Sequence, residues 1–213
     1  MSAEARAREE ICRVGASLYQ RGYVHSSAGN ISVRLDDGWL ITPSDACLGF
    51  LDPATISRVN REGRHVSGDH PSKTLTLHRL IYAESASSSA VLHTHSTHLV
   101  GLSLAGVWTP TDILPPITPY YVMKVGHVPL ISYHRPGDPA AAERVRLAAA
   151  AGVRAVLLDR LGPVVWHESI AAASYLLEEL EETAKLWLNA SEKPPPLSEE
   201  RIEELRRVFG AVW

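Results

Sequence analysis

Residues 90–101, AVLHTHSTHLVG, decide the interpretation of this chain, because they place histidines within a predicted buried strand. His93 and His95 are two residues apart, so a strand over residues 89–95 would present both imidazoles on one face. Two such rings can reach one metal ion, although a catalytic zinc site normally has three protein ligands. The same spacing also occurs between unrelated histidines. His98 follows the strand and is expected to pack or to support its neighbours.

Composition and charge exclude several classes of protein. The chain has 213 residues, 45% of them hydrophobic and 21% charged, with a formal net charge of −3. These values are typical of one globular domain, and no basic stripe favours nucleic-acid binding. Cys12 and Cys47 form no CxxC motif, no apolar run is long enough for a membrane span, and the N-terminus does not resemble a signal peptide. We therefore expect a cytoplasmic protein with neither nucleic acid nor membrane as a partner.

Hydrophobic periodicity around the histidine strand predicts a mixture of helices and strands. Helices are expected over residues 3–21, 72–84, 137–152, 170–190 and 198–209, and another after the histidine strand, capped by Ser96 or Thr97. Further strands are expected over residues 31–35, 39–44, 153–159 and 162–167. Residues 51–63 are expected to form a loop and a short turn. Hairpins mixed with helices, without regular βαβ alternation, indicate an α/β or α+β sandwich rather than a Rossmann sheet.

Five stretches occur in a characteristic order along nearly the whole chain: SSAGNISVR, LITPS, GDHPSK with LHRLIY, AVLHTHSTH and LLDRLGPVV. In this combination the chain resembles the class II aldolase/adducin family. The stretches LGFLDPATIS, DILPPITPYYVMKVGHVPLISY and RPGDPA resemble its 3-oxo-tetronate 4-phosphate decarboxylase branch in particular.

The resemblance implies an architecture and an assembly. The fold would be an α/β three-layer sandwich, a central, mostly antiparallel sheet flanked by helices, in a single domain over residues 1–213. The C-terminal helix at about residues 198–209 would follow a proline-rich linker. The assembly would be a homotetramer with active sites between subunits, acting on a small molecule with the help of a divalent metal ion, for which zinc is the leading candidate.

The resemblance also implies roles for individual residues. His93 and His95 match the first two metal ligands, and Tyr120 matches a tyrosine that reaches into a neighbouring subunit's site. The residues that match the substrate-phosphate loops are Gly29, Asn30, Ser44, Ser72 and Lys73. Glycine allows close backbone approach to an anion, the neutral side chains supply hydrogen bonds, and lysine supplies charge.

Three positions depart from the family pattern. Leu161 occupies the place of the third metal-binding histidine, and leucine cannot bind a metal. Thr74 occupies the place of the catalytic carboxylate, and its hydroxyl cannot exchange protons near neutral pH as a carboxylate does. Asp45 stands where a glycine would donate its backbone N–H to phosphate, so a cation such as Lys73 or Arg135 would have to neutralise it.

These departures leave three alternatives open. In the first, a replacement ligand completes the metal site, with His167 and His127 preferred over His134, Asp159 and Glu168. Alternatively, a metal-independent reaction uses the same pocket, with Lys124, Tyr120, Tyr121 or His98 as polar groups. The third alternative is a binding or scaffold protein without catalysis.

The enzyme interpretation is preferred, with lyase chemistry on a small hydroxy or keto acid or a sugar phosphate. Decarboxylation ranks above aldol cleavage, because carbon dioxide leaves without a base acting on a hydroxyl and only the enolate needs stabilisation. The candidate catalytic residues are Tyr120, Lys124 and Thr74, and the candidate metal ligands are His93, His95 and His167.

Overall fold

A computed structural model describes residues 2–213 and contains six α-helices and eight strands. The helices are α1 (Ala3–Gln20), α2 (Leu75–Glu84), α3 (Thr97–Ala105), α4 (Pro139–Ala150), α5 (Ile170–Asn189) and α6 (Glu199–Phe209). The strands are β1 (Asn30–Leu35), β2 (Gly38–Ile41), β3 (Ser57–Asn60), β4 (His65–Ser67), β5 (Ala90–His93), β6 (Leu130–Ile131), β7 (Ala155–Leu158) and β8 (Gly162–His167).

All eight strands form one sheet in the order β4-β3-β2-β1-β5-β8-β7-β6. Every neighbouring pair is antiparallel except β6 and β7, which are parallel. The strand β3 lies inside residues 51–63, so the expectation of a loop there was wrong. Val59 of β3 and Ile56 just before the strand are fully buried. The strand pairs with β2 on one side and with β4 on the other.

Two hydrophobic cores cover the two faces of the sheet. One core packs α1, α3 and α5 against residues such as Ile31, Leu92 and Leu157. The other packs α2 and α4 against their strand neighbours Val91 and Val156. Alternate residues of one strand enter opposite cores, as expected when both faces of a sheet are buried. The predicted three-layer sandwich with a mostly antiparallel sheet is therefore confirmed.

The start of α3 differs from the sequence expectation. Ser96 precedes the helix, but neither it nor Thr97 caps it through a side chain. Instead the carboxylate of Glu181, only 3% exposed on α5, accepts backbone N–H groups of His98 and Leu99 at 2.8 and 2.9 Å. Its Oε1 also lies 2.9 Å from Nδ1 of His98, so this histidine has the supporting role expected of it.

Two glycines bring loops against the end of β5. A Cβ at Gly29, where φ is +83°, would lie 2.7 Å from the carbonyl oxygen of His93. A Cβ at Gly162, where φ is +130°, would lie 2.1 Å from the carbonyl oxygen of Thr94. Any side chain there would collide with backbone, so both glycines are needed to close the loops around the histidine segment.

Among residues 2–213, no helix is long and apolar enough to cross a membrane.

Candidate active site

A cavity of about 440 Å³ lies where β1 and β5 meet the start of α2. His93 and His95 line it together with all five residues predicted to bind substrate: Gly29, Asn30, Ser44, Ser72 and Lys73. The antiparallel pairing of β1 and β5 places Asn30 directly opposite His93, which explains how two residues 63 positions apart converge. The cavity therefore unites the residues that the motifs selected.

His93 is held in one orientation and one protonation state. It is 5% exposed, and its Nδ1 donates to the carbonyl oxygen of Pro163 at 2.8 Å. Burial, followed by the neighbouring charge of His95, lowers the pKa of His93 to about 4. The ring is therefore neutral at physiological pH, with its proton on Nδ1 and an available lone pair on Nε2.

His95 lies just beyond the strand that was expected to contain it. β5 ends at His93, yet the two ring centroids are 5.0 Å apart, so the imidazoles remain neighbours. The ring of His25 meets that of His95 edge-on at 6.5 Å. Burial, and then the charge of His25, lowers the pKa of His95. No local sequence pattern distinguishes His25, which lies in the turn before Gly29.

A buried hydrogen-bond network stands behind the cavity wall. Tyr82 Oη donates to the Ser32 carbonyl oxygen at 3.0 Å. The same Oη lies 2.8 Å from Ser32 Oγ. Ser32 Oγ is in turn 2.7 Å from Nδ1 of His78. His78 is fully buried and lines the cavity, but its Nε2 has no partner in the described chain. It lies one helical turn after Thr74, and this i, i+4 spacing is the signal that could have marked it.

The buried histidines should make the fold sensitive to acid. Burial, then the charge of His93, lowers the pKa of His78 from 6.5 to about 3. Below pH 6.5 His78 becomes protonated in the unfolded chain but stays neutral in the folded chain, so the free energy of unfolding falls as the pH drops. His78 alone should cost about 2 kcal/mol between pH 6.5 and 4.5.

Urea unfolding from pH 8 to 4.5 measures this loss. The variant His78→Gln should lose less stability over the same interval than the wild type, whereas His65→Gln, at an exposed histidine on β4, should follow the wild type. Parallel profiles for wild type and His78→Gln would contradict this assignment.

The loops that carry the predicted substrate residues are tied to each other. Pro43 forms an isolated β-bridge with Pro71, and Ser44 Oγ donates to the Pro71 carbonyl oxygen at 3.0 Å. α2 begins at Leu75 rather than at residue 72, so Ser72 and Lys73 precede it. Both therefore lie beside a helix N-terminus, where backbone N–H groups and the helix dipole favour an anion.

The three departures from the family pattern also line this cavity. Ser72 Oγ lies 2.9 Å from Thr74 Oγ1, so one of these hydroxyls donates to the other and one O–H remains available. Leu161 sits in the turn between β7 and β8 and contributes hydrocarbon to the wall. Asp45 adopts a left-handed conformation, with φ of 57°, at the same cavity.

The donor set does not complete a catalytic metal site within one chain. The 5.0 Å separation of the His93 and His95 rings suits two ligands of one ion. Across residues 2–213, however, no group of three or more His, Cys, Asp or Glu side chains is arranged to hold a metal ion. A tetrahedral catalytic site requires one more protein ligand than this pair provides.

His167 does not supply that ligand, which corrects the expectation. Strand register places His167 opposite Ala90 and Val164 opposite His93, so His167 is three residues further along the sheet. It lines a separate cavity and its Nε2 lies 3.3 Å from an Arg154 nitrogen.

The other candidate ligands divide into two groups. His127 is 2.7 Å from an Asp112 oxygen and stacks on Trp213, outside the histidine cavity, and Glu168 lines the same cavity as His167. His134 and Asp159 do line the histidine cavity, although the Nδ1 of His134 already lies 2.6 Å from the Ser132 carbonyl oxygen.

Tyr120 and Lys124, two of the three predicted catalytic residues, do not line the cavity of their own chain. Both side chains are exposed, that of Tyr120 by 61%. Tyr120 precedes a π-helical turn over Tyr121–Val125, and Lys124 lies within that turn. Only Thr74, the third, lies in the cavity. Tyr121 is fully buried and packs against Trp213, so it is part of the core.

Comparison with known proteins agrees with the fold. The family described as "Class II Aldolase and Adducin N-terminal domain" matches residues 9–188. The chain is 63% identical to a 3-oxo-tetronate 4-phosphate decarboxylase of Cupriavidus necator, with 100% of both chains covered. It is 43% identical to one from Escherichia coli K12, covering 95% of this chain and 96% of the relative.

Among solved structures, YgbL from Escherichia coli matches with a TM-score of 0.91 and 42% identity, covering 96% of this chain and 100% of that one. The matched family region contains β1, α2, β5 and β8, and therefore the elements around the histidine cavity. The chain belongs to the class II aldolase and adducin family.

Proposed function

We propose that this chain is a lyase that removes carbon dioxide from a short 3-oxo acid carrying a phosphate group. The observation that carries the proposal is the convergence, in one cavity, of an anion-binding end at Ser72 and Lys73 with the imidazoles of His93 and His95. The names of the relatives, 3-oxo-tetronate 4-phosphate decarboxylases, support the same substrate class.

The phosphate belongs at the start of α2. Lys73 provides the positive charge, and the Ser72 hydroxyl and the helix N-terminus provide hydrogen-bond donors. Asn30 and Gly29 line the same cavity from the β1 side. Ser44 would join them if its hydroxyl turned away from Pro71. Lys73 lines the same cavity as Asp45, so its charge would offset the carboxylate that would otherwise repel the phosphate.

The reacting carbons belong beside the imidazole pair. When the C1–C2 bond breaks, carbon dioxide departs and its electron pair moves into C2=C3, leaving negative charge on the C3 oxygen. Neither ring nitrogen of His95 forms a hydrogen bond within the described chain, so the N–H of its imidazole can donate to that oxygen. The bare Nε2 of His93 can accept from the neighbouring 2-hydroxyl. Protonation of C2, with water as the proton source, completes the reaction.

This division of roles agrees with the residue at position 74. Decarboxylation needs a stabilised enolate but no base that removes a hydroxyl proton, so a hydroxyl can replace a carboxylate there. We therefore place Thr74 among the substrate contacts, beside Ser72, rather than as an acid or base.

Two further parts of the proposal concern groups outside this chain. If zinc, one of several metals that suit two imidazoles, were held by His93 and His95, it would stabilise the charge on the C3 oxygen in place of their hydrogen bonds, and a third donor would have to come from substrate, water or another subunit. Exposed Tyr120 and Lys124 would act only in a neighbouring subunit's cavity, within the homotetramer that the family resemblance implies.

Lys73→Met tests the phosphate end. It should raise KM for 3-oxo-tetronate 4-phosphate by about 10- to 100-fold with a much smaller change in kcat, because a charged hydrogen bond contributes about 1.5–3 kcal/mol. KM for the unphosphorylated 3-oxo acid should not change. Lys185→Met, at an exposed lysine on α5, is the matched control. Equal effects of Lys73→Met on both substrates would contradict a phosphate contact.

A further inference from the structure

We propose that a second groove, on the opposite flank of α2, binds a polyanion of the phosphate type. This arginine groove has a volume of about 610 Å³ and is lined by Arg34, Arg61 and Arg79 around Trp39, with Asp36 and Tyr82 at its margin. Thr76 lines both this groove and the histidine cavity, so α2 separates the two sites. The inference does not depend on the reaction proposed above.

The guanidinium groups of the groove bind backbone carbonyl groups rather than carboxylates. Arg34 donates to the carbonyls of Tyr82 and Ser85, Arg61 to that of Asp36, and Arg79 to those of Glu62 and Arg61. These contacts fix the side chains but leave their charges uncompensated, since a carbonyl is neutral. In the part of the chain that the structure describes, none of the three forms an ion pair.

Several arginines elsewhere in the molecule pair with carboxylates. Arg21 pairs with Glu178 at 2.7 Å, and Arg8 with Glu4 at 2.8 Å. Arg206 contacts Glu199 and Glu203. The convergence of three unpaired guanidinium groups on one groove is therefore a local property. Like charges held together without a counter-ion repel one another, so an anion that bound there would relieve the repulsion.

Unused hydrogen-bond donors point to the same class of ligand. The buried Nε of Arg34 and Nε1 of Trp39 have no partner in the described chain. Both are N–H groups that can only donate, and an unsatisfied buried donor is costly. Apart from Asp36, the charged side chains of the groove also only donate. An acceptor-rich polyanion matches this inventory, and a cation does not.

Aromatic contacts hold the groove in shape. The Arg79 guanidinium lies 5.0 Å from the centre of the Trp39 ring, and Trp39 stacks on Tyr82 at 6.4 Å. Arg34 lies 4.8 Å from the centre of the Tyr82 ring. These cation–π contacts orient the arginines before a ligand arrives, which lowers the entropic cost of binding. Because Trp39 is part of this stack, its fluorescence is a direct reporter of the groove.

The test adds a negative charge without removing an arginine. Ala83 is exposed on α2 and lines the groove, so Ala83→Glu would place a carboxylate among the guanidinium groups. Ala86→Glu, three residues later and outside the groove, changes the net charge equally. Pyrophosphate is the probe, and its binding is measured by Trp39 fluorescence and by calorimetry. All variants are made in the Lys73→Met protein, which lacks the lysine charge of the histidine cavity.

Pyrophosphate should bind the Lys73→Met protein with a fluorescence change that Trp39→Phe abolishes. Ala83→Glu should weaken this binding about tenfold, and Ala86→Glu should not. Equal affinity in the two glutamate variants, or no binding to the Lys73→Met protein, would overturn the proposal. A smaller oligomer for Ala83→Glu alone, seen by light scattering, would also overturn it, because the groove would then contact another copy of the chain.

Discussion

Leu161→His combined with Thr74→Glu is expected to raise the zinc affinity of the chain at least 100-fold. Leu161 lines the same cavity as His93 and His95, and Gly162 holds its turn against the backbone of Thr94 and His95. A third imidazole there would add a direct ligand to a pair whose rings are already 5.0 Å apart. Loss of an outer-shell partner alone changes metal affinity by about 10- to 100-fold, so a direct ligand should exceed that range.

Competition with a chelating dye measures this change without reference to activity. Leu161→His alone should provide most of the gain, and Thr74→Glu a further part through its carboxylate. The matched control is Leu147→His, which adds a histidine on α4 at a leucine that is 48% exposed. If Leu161→His bound zinc no better than Leu147→His, the position of the β7–β8 turn beside the histidine pair would be contradicted.

The parts of the site that could be predicted were those carried by short motifs through which the chain resembles its family. The HxH segment, the turn before Asn30 and the residues before α2 each have a short-range pattern, and all three meet at the cavity. The three-layer sheet also followed from the order of motifs. Even the strand expected to carry His95 ended two residues early without separating the imidazoles.

The parts that failed depend on contacts between distant segments. His167 was favoured because it follows the altered motif, but antiparallel register carries it away from His93 along β8. The cap of α3 comes from Glu181, eighty-three residues beyond the His98 amide that it accepts. A local pattern could not reveal either, since register and long-range capping are set by tertiary packing.

Only part of the buried hydrogen-bond network behind the cavity could be predicted from the sequence. His78 is fully buried on α2, and the sequence shows only its i, i+4 spacing from Thr74. Its link through Ser32 to Tyr82 joins β1 to α2 across about fifty residues and required the pairing of the sheet to be known. Tyr120 and Lys124 were predicted to be catalytic but are exposed outside the cavity of their own chain. Any catalytic role for them therefore depends on a second subunit.

His95→Ala is expected to lower kcat for decarboxylation by about 100- to 1000-fold, the usual cost of losing one donor to a developing oxyanion. His95 is partly exposed and carries no hydrogen bond within the described chain, so its removal should affect stability little. KM should change less than kcat, because the donor acts mainly on charge that appears as carbon dioxide leaves. His65→Ala, at an exposed histidine on β4, should retain wild-type activity.

Release of carbon dioxide from 3-oxo-tetronate 4-phosphate by the purified wild-type chain is the most direct test of the proposed function. We predict a rate well above spontaneous decarboxylation, nearly lost in His95→Ala and retained in His65→Ala. A wild-type rate equal to the spontaneous one would contradict the proposal, and so would an undiminished rate in His95→Ala.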